Sequence, residues 1–161
     1  MLLMSREVKF RIWDKTSNRM LYQDDFERVE LDTKNKMVSL VRSETIESSY
    51  VLDYEDGIEA EIMQYTGFKD SKGKEIYEGD ILKFTQVLTK VFHPKEELGI
   101  IEFYTDIKWE DGCYWIKDDG DDEYRDMFGA FFGENVYPLT EIEVVGDIYN
   151  NAELLRRENN E

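Results

Sequence analysis

The residues in this chain best suited to chemistry are its acids, and their densest group is Asp118-Asp119-Gly120-Asp121-Asp122-Glu123. Hard cations such as Ca²⁺ and Mg²⁺ are held by several carboxylate oxygens, and an acidic loop can wrap one. The calcium-loop register places acids first, third and fifth and then glycine; here Gly120 falls in the third place. Acidic runs without such a register are usually solvated, so no metal ligand is assigned. A nucleophile–base pair would have to be Cys113 with His93, the only cysteine and the only histidine. Cys113 lies between Gly112 and Tyr114 in an apolar, strand-like run, where thiols are inert packing groups. His93 stands beside Pro94 in a stretch that reads as a loop. One Cys and one His cannot supply the four ligands of zinc. The sequence carries neither a glycine-lysine phosphate loop nor a dinucleotide fingerprint. The expectation is a protein that is not an enzyme, with no catalytic residue, no cofactor and no metal.

The elements that would position any site are short strands punctuated by glycine. The stretch Ile62 to Phe84 reads as a strand ending at Tyr65, a turn at Gly67, a polar turn Asp70-Ser71-Lys72-Gly73, and a Glu78-Gly79-Asp80 bend into a strand from Ile81 to Thr85. Glu78 and Asp80 face the same way on an extended chain and could project as an acidic pair; the alternative is a structural turn with Gly79 at positive φ. Upstream, alternation predicts a hairpin of Glu7–Trp13 with Arg19–Gln23. It also predicts a second pair, Phe26–Leu31 with Met37–Val41. Tyr50–Leu52 reads as a short strand or helical turn, and Asp53–Gly57 as a loop. Downstream, Lys90–Leu98 reads as a loop because Pro94 removes a ladder donor. Strands follow at Gly99–Tyr104, Gly112–Lys117 and Ile142–Tyr149, and Asn151 is placed to cap a helix from Ala152 to Glu158.

Several of these pieces together resemble a known family. Met63-Gln64-Tyr65-Thr66-Gly67, Asp70 with Gly73, and Glu78-Gly79-Asp80-Ile81 are similar to the signature of the YopX family of bacteriophage and prophage proteins. Lys9-Phe10-Arg11-Ile12-Trp13-Asp14 and Val145-Gly146-Asp147-Ile148-Tyr149-Asn150 agree with it. The family's closing motif usually reads Gly-Asn-Ile-Tyr-Glu-Asn-Pro, whereas Asp147, Asn150 and Ala152 stand here. The resemblance implies a small, mainly β protein (α+β overall) of phage or prophage origin, with an SH3-like barrel in its second half. It brings no established activity. The signature residues Gln64, Tyr65, Gly67, Gly73, Glu78, Gly79, Asp80 and Gly146 are therefore taken as a structural motif. The expected organisation is an N-terminal hairpin region over 1–62, a barrel over 63–150 and a short helix and tail over 151–161.

Bulk properties narrow the partners. The 161 residues carry 37 acids against 20 Lys and Arg, a net charge of −17, which argues against direct nucleic-acid binding. Strong acidity serves solubility, or attraction to a basic partner up to mimicry of phosphates. No apolar run approaches the ~18 residues that would span a bilayer, Met1 to Met4 is too short for a signal core, and a single cysteine suits a reducing cytoplasm. The run Met127-Phe128-Gly129-Ala130-Phe131-Phe132-Gly133 has two readings. It folds over the barrel and supplies core, or it presents Phe128, Phe131 and Phe132 as an interface to a second subunit or a host protein. The function expected is a non-enzymatic phage accessory protein in the host cytoplasm, acting through protein contacts and self-association. An acidic decoy for a host nucleic-acid-binding protein, or a metal-dependent enzyme using 118–123, are the alternatives.

Overall fold

A computed structural model describes residues 7–45, 48–55, 59–90, 93–117, 124–128 and 140–156. Most of the described residues lie in strands and no helix among them reaches seven residues, so the protein is mainly β. It divides into two compact units, Met1–Tyr65 and Thr66–Glu161. The division falls inside a strand, β6 (Ala60–Lys69), and not in a loop.

In the first unit, β1 (Phe10–Asp14) and β2 (Arg19–Leu21) form the expected hairpin. β1 also pairs antiparallel with β6, Phe10 opposite Gln64 and Asp14 opposite Ala60. A second antiparallel sheet runs β3 (Arg28–Asp32), β4 (Met37–Thr45), β5 (Ser48–Glu55). The period of two along Met37–Leu40 sends Val38 and Leu40 to one face, and both are fully buried. They join Ile12, Leu21, Tyr54 and Ala60 in one core, with Phe26, Val29 and Ile62 against it. Each large apolar side chain so buried contributes about 1.5–3 kcal/mol.

In the second unit, β7 (Glu75–Tyr77) leads into β8 (Asp80–Lys90). β8 is the middle strand of a sheet between β9 (His93–Asp106) and β13 (Thr140–Asp147). A further sheet follows: β10 (Lys108–Glu110), β11 (Cys113–Lys117) and β12 (Tyr124–Met127). β10 and β11 are joined by Asp111-Gly112, both at positive φ (50° and 82°), the two-residue turn that Asp-Gly favours. Leu82, Phe84, Phe103, Ile116, Phe128 and Ile142 lie in this unit's core. The Phe84 and Phe103 rings stack across the strand pair at 5.0 Å.

Four expectations are corrected. β6 runs through Gly67 to Lys69 with Gly67 at φ 91°, so the glycine bends a strand and does not end one. Asp53–Glu55, read as loop, belongs to β5 together with Tyr50–Leu52, whose strand reading holds. Lys90–Leu98 is largely strand: β9 starts at His93, and Pro94 is tolerated because β9 is an edge strand whose register shifts near Thr89. The closing helix is only a 3-10 turn, Ala152–Leu155. Asn151 does not cap it, because the Asn151 Oδ1 accepts from the Asp147 N–H at 3.3 Å. A single turn lacking its cap cannot repay the cost of helix nucleation.

Candidate functional site

Of the signature residues, Asp70 and Gly73 shape the loop from Asp70 to Lys74. Asp70 Oδ1 accepts the backbone N–H groups of Lys72 (2.9 Å) and Lys74 (2.8 Å), and Oδ2 accepts that of Val144 on β13 (3.1 Å). Gly73, at φ 85°, lets the loop close back so that its N–H reaches the Asp70 carbonyl at 2.9 Å. Ser71 bonds Ile142 twice: its N–H donates to the Ile142 carbonyl (2.8 Å) and its hydroxyl accepts the Ile142 N–H (2.9 Å). Lys72 Nζ holds the Glu143 carboxylate. The loop is thus clipped along three successive residues of β13. Burial works against the charge on Asp70, but the N–H groups of Val144, Lys74 and Lys72, with the charge of Lys74, outweigh it and hold the carboxyl below its ordinary value. The hydrogen bond and charge of Glu143 raise the Lys72 ammonium.

The Glu78-Gly79-Asp80 bend does the same for the next corner. Asp80 is buried, and its Oδ2 accepts the Tyr77 N–H at 2.8 Å. Gly79, at φ 76°, donates to the Ile107 carbonyl at 3.1 Å and accepts from the Ile148 N–H at 2.9 Å. Glu78 is only half-buried. The two acids therefore sit in different surroundings and do not project as a pair. At the chain's far end, Asp147 Oδ1 accepts from the N–H groups of Tyr149 and Asn150, both at 2.9 Å. Asparagine offers the same oxygen acceptor, so the departure from the family's closing motif keeps this turn's hydrogen bonds. Gly146 is needed for contact: a Cβ there would lie 2.6 and 2.7 Å from Asn151 Cγ and Cβ.

Sequence reading missed that the first unit uses the same device. Asp14 Oδ1 accepts from Thr16 N–H (2.8 Å) and Ser17 N–H (3.2 Å), while Oδ2 takes the hydroxyls of Ser17 (2.7 Å) and buried Tyr54 (3.1 Å). Burial opposes the Asp14 charge, and the bonds from Ser17 and Thr16 override it, lowering its pKa. Asp32 accepts the N–H groups of Lys34 and Asn35, each at 3.0 Å, and the bonds from Asn35 lower its pKa likewise. The signal was present as an aspartate at the head of each turn, the position from which its carboxylate reaches N–H groups two and three residues on.

The remaining expected residues scatter. Gln64 is half-buried opposite Phe10, and buried Tyr65 lies beneath Lys9, whose Nζ is 5.4 Å from the ring. Phe128 is fully buried and meets Phe68 edge-on at 5.6 Å, so it is core and presents no interface. Phe131, Phe132 and the acidic run 118–123 lie outside the described residues. Cys113 is half-buried opposite Glu110, and His93 opens β9 opposite Lys90, on strands that do not pair with each other. Among the described residues no three His, Cys, Asp or Glu side chains are grouped to hold a metal ion.

The profile of the YopX family, described as YopX protein, matches residues 9–156. The chain belongs to the YopX family. The match covers both units and every turn just described. A solved structure, that of protein EF1440 from Enterococcus faecalis, is similar to this chain at 24% identity and a TM-score of 0.55. The likeness covers 94% of this chain and all of that one, which extends the shared fold over nearly the whole length. No curated protein matches the chain. No helix among the described residues is long and apolar enough to cross a membrane.

Proposed function

We propose that the protein is a non-enzymatic accessory protein of a phage or prophage, working in the host cytoplasm by holding other proteins, including further copies of itself. The observation that carries this reading is the use of the signature acids. Asp70, Asp80 and Asp147 each accept backbone N–H groups of their own chain. A carboxylate occupied in that way is a poor general base and a poor cation ligand. What the described surface offers instead is apolar contact, since Leu98 and Ile100 are 60% and 68% exposed. The second unit, in this reading, is a small barrel of the SH3-like kind, an architecture that serves as a binding module in many settings. A second reading, an acidic decoy for a host nucleic-acid-binding protein, is favoured by the charge of −17.

The test is capture on the immobilised full chain from a host lysate at two salt concentrations, with light scattering of the free protein. A stoichiometric protein partner or a multiple of the monomer mass supports contact. Displacement of that partner by duplex DNA selects the decoy. A strict monomer that retains nothing overturns both.

A further inference from the structure

Among the described residues β9 is the outer strand of its sheet, paired with β8 on one side only. β13 reaches no farther along β8 than Gln86, so from Val87 onward β8 and β9 continue as a two-stranded ribbon among the described residues. A free edge strand exposes every second N–H and C=O, and native proteins blunt such edges with proline, bulges or inward charges. Here those devices sit at the ribbon's tip, where Pro94 and two register shifts fall beside Thr89. At the other end the edge is covered, since the Lys117 N–H donates to Thr105 Oγ1 at 2.9 Å. Between them, from Leu98 to Tyr104, the edge carries no proline, its one bulge falls at the start, where Leu98 is skipped between Glu97 and Gly99, and among the described residues nothing pairs with the rest.

The side chains along this length are those of a docking strand. Ile100, Glu102 and Tyr104 alternate onto the face opposite the buried Phe103, and Ile100 and Tyr104 are 68% and 44% exposed. Leu98 is exposed at the bulge, and Leu88, opposite Gly99, is exposed on the other face. The surrounding charge is acidic in excess. On the outer face of the three strands, Glu102, Glu141 and Glu143 outnumber the cations beside them, Lys83, held by Glu102 at 2.7 Å, and Lys72, which holds Glu143. Glu97 is exposed next to Leu98. A second copy would bring another −17 to this acidic edge, whereas a cationic strand would meet complementary charge.

We propose that the β9 edge from Glu97 to Tyr104 docks an extended, lysine- or arginine-bearing segment of a partner protein, which joins the sheet as an added strand. The inference rests on the protein-contact reading and names the surface and the chemistry of the partner.

The test uses the full chain labelled with ¹⁵N, titrated with a short peptide alternating valine and lysine and, separately, with its valine–glutamate counterpart. The lysine peptide shifts the amides of Glu97–Tyr104, and its affinity falls about tenfold from low to physiological salt. Ile100→Lys weakens it at least about tenfold while the rest of the spectrum stays as in the parent. Equal binding of the glutamate peptide overturns the proposal, as do shifts confined to other strands. So do edge amides already protected from exchange in the free monomer, or edge shifts that follow protein concentration alone, which assign the edge to the chain itself or to a second copy. A partner captured from lysate equally by parent and Ile100→Lys sinks the ribbon and leaves protein contact standing.

Discussion

Replacing Asp70 by alanine removes the acceptor for three backbone N–H groups, those of Lys72, Lys74 and Val144. The loss is unequal. Lys72 and Lys74 are exposed, so water replaces the carboxylate there at small cost. Val144 is 8% exposed, and its N–H would be left in the core without an acceptor, which costs about 1–3 kcal/mol. Charge-assisted bonds are each worth about 1.5–3 kcal/mol, so with solvent compensation at two of the three, Asp70→Ala should lower stability by about 2–4 kcal/mol, a large part of a typical 5–15. Asp70→Asn keeps one oxygen and loses roughly half as much. Urea unfolding followed by tryptophan fluorescence reads the difference as a midpoint lowered by about 1 M or more. The pH dependence has a definite sign. Because the folded pKa lies below the ordinary value near 3.8, the Asp70 contribution is complete above that value and fades as pH drops through the folded pKa. The parent should therefore lose stability between pH 5 and pH 2 more steeply than Asp70→Asn. A variant within about 0.5 kcal/mol of the parent at pH 7 would refute the reasoning.

Other substitutions probe the same account. Gly79→Ala forces a Cβ into φ 76° and should cost about 1–2 kcal/mol without altering partner capture; an unchanged melting temperature contradicts the turn. Gly146→Ala drives a Cβ into Asn151 and should cost about 1–3 kcal/mol, lowering the melting temperature of the second unit. Phe128→Ala empties a fully buried ring and should cost about 3–5 kcal/mol while the mass by light scattering stays unchanged; a stable variant of altered mass would return Phe128 to an interface.

Much of the frame was legible because strand alternation and turn residues are local signals. Val38 and Leu40 on either side of Ser39, and Gly79 before Ile81, each declare themselves within a few residues, whereas β10 and its Asp111-Gly112 turn were not read. Family membership was legible for the same reason, since the signature is a set of turns in a fixed order. What stayed hidden depended on distant partners. Gly67 looks like a strand end, yet β6 continues to Lys69 in a sheet that β7 also joins. Pro94 looks like a loop, and only the edge position of β9 makes room for it. Asn151 has the residue type of a helix cap, but its oxygen is taken by the Asp147 N–H. The roles of Asp70 and Asp14 were hidden too, because the Val144 N–H and the Tyr54 hydroxyl that they accept come from 74 and 40 residues away.

The central claim is that the acids of the signature serve the backbone as hydrogen-bond acceptors. Carbon-detected NMR titration of the Asp70 and Asp14 carboxyl groups tests it most directly. The account predicts that both titrate below the ordinary aspartate value, and that the Lys72, Lys74 and Val144 amide resonances move with the Asp70 midpoint. An Asp70 carboxyl that titrates near neutrality, with those amides unmoved, would contradict it.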